Sequence, residues 1–244
     1  MSRLMKKQDA YGQAVFNYYH GLGGSEIVER DDGYFDISGG PPSYFEEYKD
    51  WPAHQKKALR LVRGRVLDIG CGAGRVALHL QDKGHDVMAL DISPLMIEVC
   101  KDRGIKNAKV LPITQIKPVL GLFDTIVMYG NNFGLFGSFK RARWLLKRFA
   151  KITTPGGRII AESNDPYGTS LKEHMDYQKY NRSRGRMSGQ LRIRIRYKKQ
   201  VTPFFDYLLV SKDEMKEIVA GTGWRIAKYV DSDRSLYMVV LEKE

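Results

Sequence analysis

Of 244 residues, 43% are hydrophobic and 28% charged, a balance that belongs to globular proteins and excludes a disordered or collagen-like chain. That length suits one large domain, or a domain with an appendage, and lets roughly 70% of the unfolded surface be buried. The formal net charge of +12 is local: residues 138–151 carry six Lys and Arg and residues 181–200 carry eight, neither with an acid, so the remainder sums to −2.

No apolar run approaches the roughly 18 residues of a membrane span; Asp124 interrupts the best candidate, residues 119–129. The start, MSRLMKKQDA, is polar and has no apolar core of a signal peptide. Two cysteines, Cys71 and Cys100, cannot build a disulfide framework or a four-thiolate zinc site. The expectation is a soluble protein of a reducing cytoplasm, without a bound metal or a membrane partner.

In chain order, Tyr11 to His20 reads as a helix with an aromatic side, and the glycine- and proline-rich Ser38 to Pro42 as loop. Residues 1–60 thus form an N-terminal helical cap ahead of a main domain at 61–244. From Arg65 short apolar runs alternate with amphipathic stretches, the pattern of βαβ units around a parallel sheet. Arg65 to Ile69 is a strand and Gly74 to Lys83 a helix with Val76, Ala77 and Leu80 inward, stopped by Gly84. His85 to Leu90 is the next strand, followed by a helix to Gly104 with Ser93 as N-cap and Pro94 in its first turn. Ala108 to Pro112 and Phe123 to Tyr129 are strands. A helix over 138–151 buries Phe139, Ala142, Leu146 and Phe149, and a Thr-Pro-Gly-Gly turn at 154–157 leads into the strand Arg158 to Ser163.

At Asp165 the alternation breaks, and residues 165–208 read as an insertion rich in β-hairpin. Leu191, Ile193, Ile195 and Tyr197 alternate with Arg192, Arg194, Arg196 and Lys198, an amphipathic strand with one cationic face, and Phe204 to Val210 returns beside it. Ser211 and Glu214 form a capping box for a last helix with Met215, Ile218 and Val219 inward. Trp224 to Val230 and Leu236 to Leu241 are a terminal antiparallel pair.

The stretch that carries chemistry is Val66 to Arg75, VLDIGCGAGR. An apolar strand ends in glycines at 70, 72 and 74 and runs straight into a helix; glycines let the backbone turn and approach a ligand where a Cβ would collide. Asp91 closes the next strand, where a carboxylate can accept from both hydroxyls of a ribose. A dinucleotide fingerprint would need a third glycine at 75, which is Arg75. The spacing is GxGxG instead, and Asp68 just ahead of it favours a cationic ligand over a pyrophosphate.

The run DIGCGAG from Asp68 to Gly74, with Asp91 in ALDIS, resembles the class I S-adenosylmethionine-dependent methyltransferases. The resemblance extends through FDTIVMYGNN (123–132) and LLKRFAKITTPGGRII (145–160), and covers about residues 64–164 plus the terminal strand pair. It implies a Rossmann-like α/β fold with a seven-stranded sheet and S-adenosylmethionine as cofactor. It also implies that Asp68, Gly70, Cys71, Gly72 and Gly74 cradle the cofactor's amino-acid end, that Asp91 binds the ribose, and that Ile92 and Met96 lie near the adenine. After the third strand the family often has an acid; here Ile113 and Thr114 follow Pro112, so backbone groups or Thr114 would substitute. The segment Tyr129-Gly130-Asn131-Asn132 would lie under the methionine portion and face the substrate. The resemblance names no catalytic residue. Tyr18, Tyr19, His20, Tyr167 and His174 fall in segments that cover the pocket, with packing or surface as their plainer reading.

Cys71 as a nucleophile is disfavoured, since it lies inside the glycine turn where a small residue fits. The motif (D/N)PP(Y/F) is missing after the fourth strand, which argues against the usual methylation of base amino groups and glutamine amides. The leading reading is methylation of a small, even anionic, metabolite in a pocket shaped by the cap and by residues 165–208 as a lid. The alternative is an RNA methyltransferase whose 181–200 segment binds phosphates; a third is a cofactor-binding scaffold that stimulates a partner. The plain reading of the arginine-rich strand is a solvated hairpin.

Overall fold

Each apolar run needs a partner surface, and the chain supplies it by alternating buried strands with one-sided helices. The structure, a computed structural model, describes residues 4–37 and 39–244; the polar start at 1–3 and Ser38 of the expected loop lie outside these. In chain order the elements are α1 (Ala10–Tyr19), β1 (Ile27–Arg30), β2 (Phe35–Ile37), α2 (Ala53–Leu59), β3 (Val66–Ile69), α3 (Arg75–Asp82), β4 (Val87–Asp91), α4 (Pro94–Asp102) and β5 (Ala108–Val110). There follow β6 (Phe123–Met128), α5 (Phe139–Phe149), β7 (Thr153–Asn164), α6 (Lys172–Ser183), β8 (Gln190–Tyr197), β9 (Gln200–Val201), β10 (Phe205–Leu208), α7 (Lys212–Val219), β11 (Trp224–Asp231) and β12 (Leu236–Lys243). The main sheet has seven strands in the order β11-β12-β7-β6-β3-β4-β5, and a second sheet runs β10-β8-β1-β2 with β9 beside β8. Among the described residues no helix is long and apolar enough to cross a membrane.

Two compact units divide the chain. The first comprises Met1–Trp51, Leu67–Ile116 and Arg192–Phe205. In it β4 pairs with β5 in parallel, and β1 pairs antiparallel with both β2 and β8. The expected cap helix is there as α1, accompanied by two strands the sequence did not announce. Those strands are four and three residues long, and β1 has only Ile27 and Val28 before the charged Glu29 and Arg30, so no apolar run marks them. Beyond Gly39 and Gly40, the expected loop tightens into a 3-10 turn at Pro41–Tyr44. Ala10 and Ala14 of α1 pack on Ile195 and Tyr197 of β8.

One carboxylate ties α1 to α4. Asp9, wholly buried, caps α1 by accepting from the Gly12 amide at 3.0 Å. It also accepts from the Ser93 hydroxyl at 2.6 Å and the Leu95 amide at 3.2 Å, while Ser93 caps α4 by accepting from Met96. A Cβ on residue 12 would lie 2.1 Å from Ser93 Oγ, so Gly12 is the residue this junction admits. Burial raises the Asp9 carboxyl above its usual range, and the three donors oppose the shift.

The second unit comprises Pro52–Val66, Lys117–Leu191 and Asp206–Glu244. Here β6 runs parallel to β7, with a register shift that absorbs the Thr-Pro-Gly-Gly segment into β7 rather than ahead of it. β7 then pairs with β12, and β12 with β11, both antiparallel. On α5 the inner residues are Ala142, Leu145, Leu146 and Phe149; Phe139, expected inward, opens the helix and is only half-buried, and fully buried Leu145 takes its share of the core. Arg143 donates to the carbonyls of Glu217, Ile218 and Ala220 and so satisfies the free end of α7. The capping box of α7 forms as read, with Ser211 and Glu214 bonding reciprocally. The twelve-residue α6 went unread because only Tyr177 and Asn181 are buried on it, too few for a 3.6-residue stripe.

Replacing Asp9 by Ala strands the Gly12 and Leu95 amides and removes both the cap and the tie. Urea unfolding is expected to show a loss of about 2 to 3 kcal/mol.

Candidate functional site

The glycine loop lies in the first unit. β3 ends at Ile69, and the amides of Gly70 and Cys71 both donate to the Leu90 carbonyl at the end of β4, at 2.8 and 3.0 Å. Gly70, Gly72 and Gly74 have φ of 72°, 56° and 79°, a region that side chains with a Cβ rarely adopt. Gly74 has a second reason: a Cβ there would lie 2.0 Å from Ile105. At Gly72 a Cβ would meet the ring of Tyr44 at 2.6 Å, so an aromatic of the N-terminal segment lies directly against the loop. The Tyr44 hydroxyl donates to Tyr11, and the two rings meet edge to face at 5.6 Å. Burial pushes the Tyr11 hydroxyl up to about 12, with the charges of Glu26 and Asp91 adding to the shift.

Two carboxylates converge on the loop. Asp91 accepts from the Gly72 amide at 3.0 Å and the Ser93 amide at 2.9 Å. Asp68 is 2% exposed, and its Oδ2 has no hydrogen-bond partner. Burial, then the charge of Asp91, pushes the Asp68 carboxyl up to about 7, while the Ala77 amide and the Arg75 charge pull the other way. Burial also pushes Asp91 up to about 6 against its amide donors. An unpaired carboxylate out of water is costly, so this loop is preset for a cation.

Of the other expected residues of this unit, Met96 packs against the loop at Ala73. Met96 is 3% exposed and packs with Val15, Ala73 and Val99. Ile92 is half-buried at the start of the turn into α4, and Ile113 and Thr114 form one half-buried turn of 3-10 helix after β5. Cys71 is buried with its Sγ 3.8 Å from Cys100 Sγ, and Cys100 donates to the Gly72 carbonyl at 3.1 Å. The hydrogen bond with Cys100, and burial, push the Cys71 thiol well above its usual value, the reverse of what a nucleophile needs. Tyr18 and Tyr19 pack on Phe45, and His20 on Phe16.

Tyr129 and Asn131 belong to the second unit, at the carboxyl end of β6. The Tyr129 hydroxyl donates to the Gln55 carbonyl at 3.3 Å. Asn131 has φ 61°, its amide donates to Glu162 Oε2 at 2.8 Å, and its carbonyl accepts from the Tyr207 hydroxyl at 2.5 Å. Glu162 is 1% exposed on β7 and lies 2.7 Å from His54 Nε2 and 2.9 Å from Gln55 Nε2. Against the effect of burial, those partners and the Asn131 amide hold its carboxyl below the usual range. In this unit Tyr167 donates to Glu214 at 3.1 Å and His174 lies 3.3 Å from the Thr169 hydroxyl.

Sequence reasoning missed Tyr11, Tyr44, His54, Gln55, Glu162 and Tyr207. Glu162 alone carried a signal, an acid inside the apolar strand 158–163. Among the described residues no three His, Cys, Asp or Glu side chains group as a metal site would require.

The arginine-rich strand departs from its plain reading as solvated surface. In the first unit Arg194 grips Glu29 of β1 through two bonds of 2.7 Å, Arg196 bonds the same carboxylate, and Arg194 also lies over the Phe204 ring. These arginines hold Glu29 down to about 2. In the second unit Arg186 pairs with Asp206 at 3.0 Å, and Arg182 donates to Ser188 at 2.8 Å.

Residues 66–157 match a family described as a methyltransferase domain. A solved structure of an S-adenosylmethionine-dependent methyltransferase from Bacteroides fragilis, in complex with S-adenosyl-L-homocysteine, is 26% identical over 99% of this chain and 98% of that one, with a TM-score of 0.84. The glycine/sarcosine N-methyltransferase of Halorhodospira halochloris is 23% identical over 74% of this chain and 75% of its own length. The magnesium-protoporphyrin O-methyltransferase of Rhodobacter capsulatus is 39% identical over 67 residues, a match that spans 30% of that enzyme.

The glycine loop and its carboxylates give a direct prediction. Asp91→Ala is expected to weaken S-adenosylhomocysteine binding by at least about tenfold in calorimetry, since a doubly accepting carboxylate is lost; wild-type affinity would refute the placement.

Proposed function

From its membership of the class I S-adenosylmethionine-dependent methyltransferases, the family to which this chain belongs with S-adenosylmethionine as cofactor, we propose that it methylates a small-molecule metabolite. The observation that carries this reading is the N-terminal segment folded onto the glycine loop, with the Tyr44 ring against Gly72 and Asp9 fastening α1 to α4. A loop covered in this way suits a substrate small enough to be enclosed better than a long polymer. The relatives named for glycine and sarcosine and for magnesium-protoporphyrin agree with that class.

The residues present fit the cofactor on an observation independent of the family. The buried, unpartnered Oδ2 of Asp68 calls for a cationic donor, and the positive-φ glycines give a ligand access to backbone. On this reading Asp68 and the Gly70–Gly74 loop hold the amino-acid end, and Asp91 the ribose. Ile92, Met96, Ile113 and Thr114 surround the adenine. Bound there, S-adenosylmethionine supplies an electrophilic methyl group on a sulfonium. It would give up that methyl group by in-line displacement to an acceptor that the chain aligns with it. The protein's part is alignment and exclusion of water, which can account for much of the rate in such a displacement.

The RNA reading loses support from the fate of the arginines. A phosphate-binding strand needs free cations, whereas Arg194 and Arg196 are spent on Glu29, and Arg186 on Asp206. The same pairings weaken the idea of a lid that grips an anionic substrate through this strand.

The test is methyl transfer from labelled S-adenosylmethionine into a cell extract separated by size. Label is expected in the small-molecule pool; label confined to RNA would overturn the reading.

A further inference from the structure

Within the first unit, two thiols that methyl transfer does not use lie against the glycine loop. Cys71 sits inside the loop, between Gly70 and Gly72, and Cys100 comes from the last turn of α4, 29 positions later. Their sulfurs are 3.8 Å apart. Both are free and buried, Cys71 with 8% of its surface exposed and Cys100 with 0%. Both also aim at one backbone oxygen: the Gly72 carbonyl accepts from Cys100 at 3.1 Å and from Cys71 at 3.7 Å.

The elements that carry the two sulfurs are fixed against each other. Ala73 of the loop packs on Met96 and Val99 of α4. The Gly74 amide donates to the Cys71 carbonyl at 2.8 Å, and the Ile105 amide to the Cys100 carbonyl at 3.0 Å. A Cβ at Gly74 would lie 3.1 Å from Cys100 Sγ and 2.0 Å from Ile105, so the loop has little slack on the α4 side. Joining the sulfurs would draw them from 3.8 Å to about 2.05 Å and remove both S–H groups, so the Gly72 carbonyl would lose its two thiol donors. The amide of the same glycine donates to Asp91, so a displaced Gly72 disturbs that carboxylate as well.

We propose that Cys71 and Cys100 form a reversible redox site whose disulfide shuts the glycine loop to S-adenosylmethionine. The oxidant is a peroxide. Cys71, the less buried of the two, attacks a peroxide oxygen through its sulfur; the O–O bond breaks, and the products are a sulfenic acid and one water, which carries away the thiol proton. The Cys100 sulfur then displaces the sulfenic oxygen, which leaves with the second thiol proton as another water, and the S–S bond forms. Two thiols thus lose two electrons while one hydrogen peroxide is reduced to two waters. A dithiol reverses the change by thiol–disulfide exchange. Burial disfavours the reacting thiolate, so the pair stays reduced at low oxidant and closes under sustained exposure. The inference concerns cofactor binding and holds whatever the methyl acceptor is.

The test treats the full chain with hydrogen peroxide, maps the product by peptide mass spectrometry, and measures S-adenosylhomocysteine binding by calorimetry before treatment, after it, and after added dithiothreitol. Expected are a peptide linked between Cys71 and Cys100 and an intact mass lower by about 2 Da. Affinity should fall about tenfold or more and recover to within about twofold on reduction. Cys100→Ser keeps a hydroxyl donor for the Gly72 carbonyl; it should bind within about threefold of wild type and hold that affinity through the same treatment. Should it not fold, Cys100→Ala takes its place. Thiols that stay free, or a sulfinic acid without the link, overturn the proposal. So does a linked protein that binds S-adenosylhomocysteine as before. A loss that Cys100→Ser shares, or that dithiothreitol does not reverse, also overturns it and points to methionine oxidation instead.

Discussion

Two carboxylates withdrawn from water, Asp68 buried and Asp91 half-buried, set the terms for the first unit. Each is raised by burial, and Asp68 is raised further by Asp91. A protein gains no stability from such a pair; below about pH 6 it eases the cost by holding protons, and near neutrality it bears the strain of partly ionised groups. The surrounding features are then intelligible as ways to hold that arrangement. Three left-handed glycines carry the backbone between the strands, the Gly72 and Ser93 amides meet Asp91, and the N-terminus of α3 faces Asp68 through Ala77. What remains unmet is one oxygen of Asp68, and a cation is the chemistry that meets it.

The second constraint is where positive charge is spent. A net charge of +12 invites thoughts of nucleic acid, yet in the densest basic segment Arg186, Arg194 and Arg196 are paired with acids of the fold. Glu29 between Arg194 and Arg196 fastens β1 to β8, so the N-terminal segment and the insertion share one sheet. Bidentate pairing of this kind fixes geometry as well as charge. Arg194 and Arg196 thus hold β8 to β1.

Much of the main sheet was legible because its strands are buried on both faces and read as apolar runs, and because its helices announce their ends. Ser93-Pro94, Gly84 and the Ser211–Glu214 box sit where their chemistry requires them. The glycine spacing and Asp91 were legible for the same reason, as backbone demands that few residues can meet. The rest was hidden where partners are distant in sequence. Glu29 looks like any surface acid until Arg194, 165 positions later, lies across from it. His54 and Gln55 sit in a short helix with lysines beside them, and only the fold brings them to Glu162. Tyr44 carries no spacing signal; its value is that its ring fits where Gly72 has no side chain.

The central claim is that the glycine loop awaits a cation, and the most direct measurement is the proton balance when S-adenosylmethionine binds. Calorimetry in buffers of different ionisation enthalpy reports it. A cation beside Asp68 and Asp91 lowers their raised pKa values, so binding should release protons, approaching one at about pH 6.5 and vanishing near about pH 8.5. Binding with no proton release at about pH 6.5, or with uptake, would contradict the account and place the cofactor's charge elsewhere.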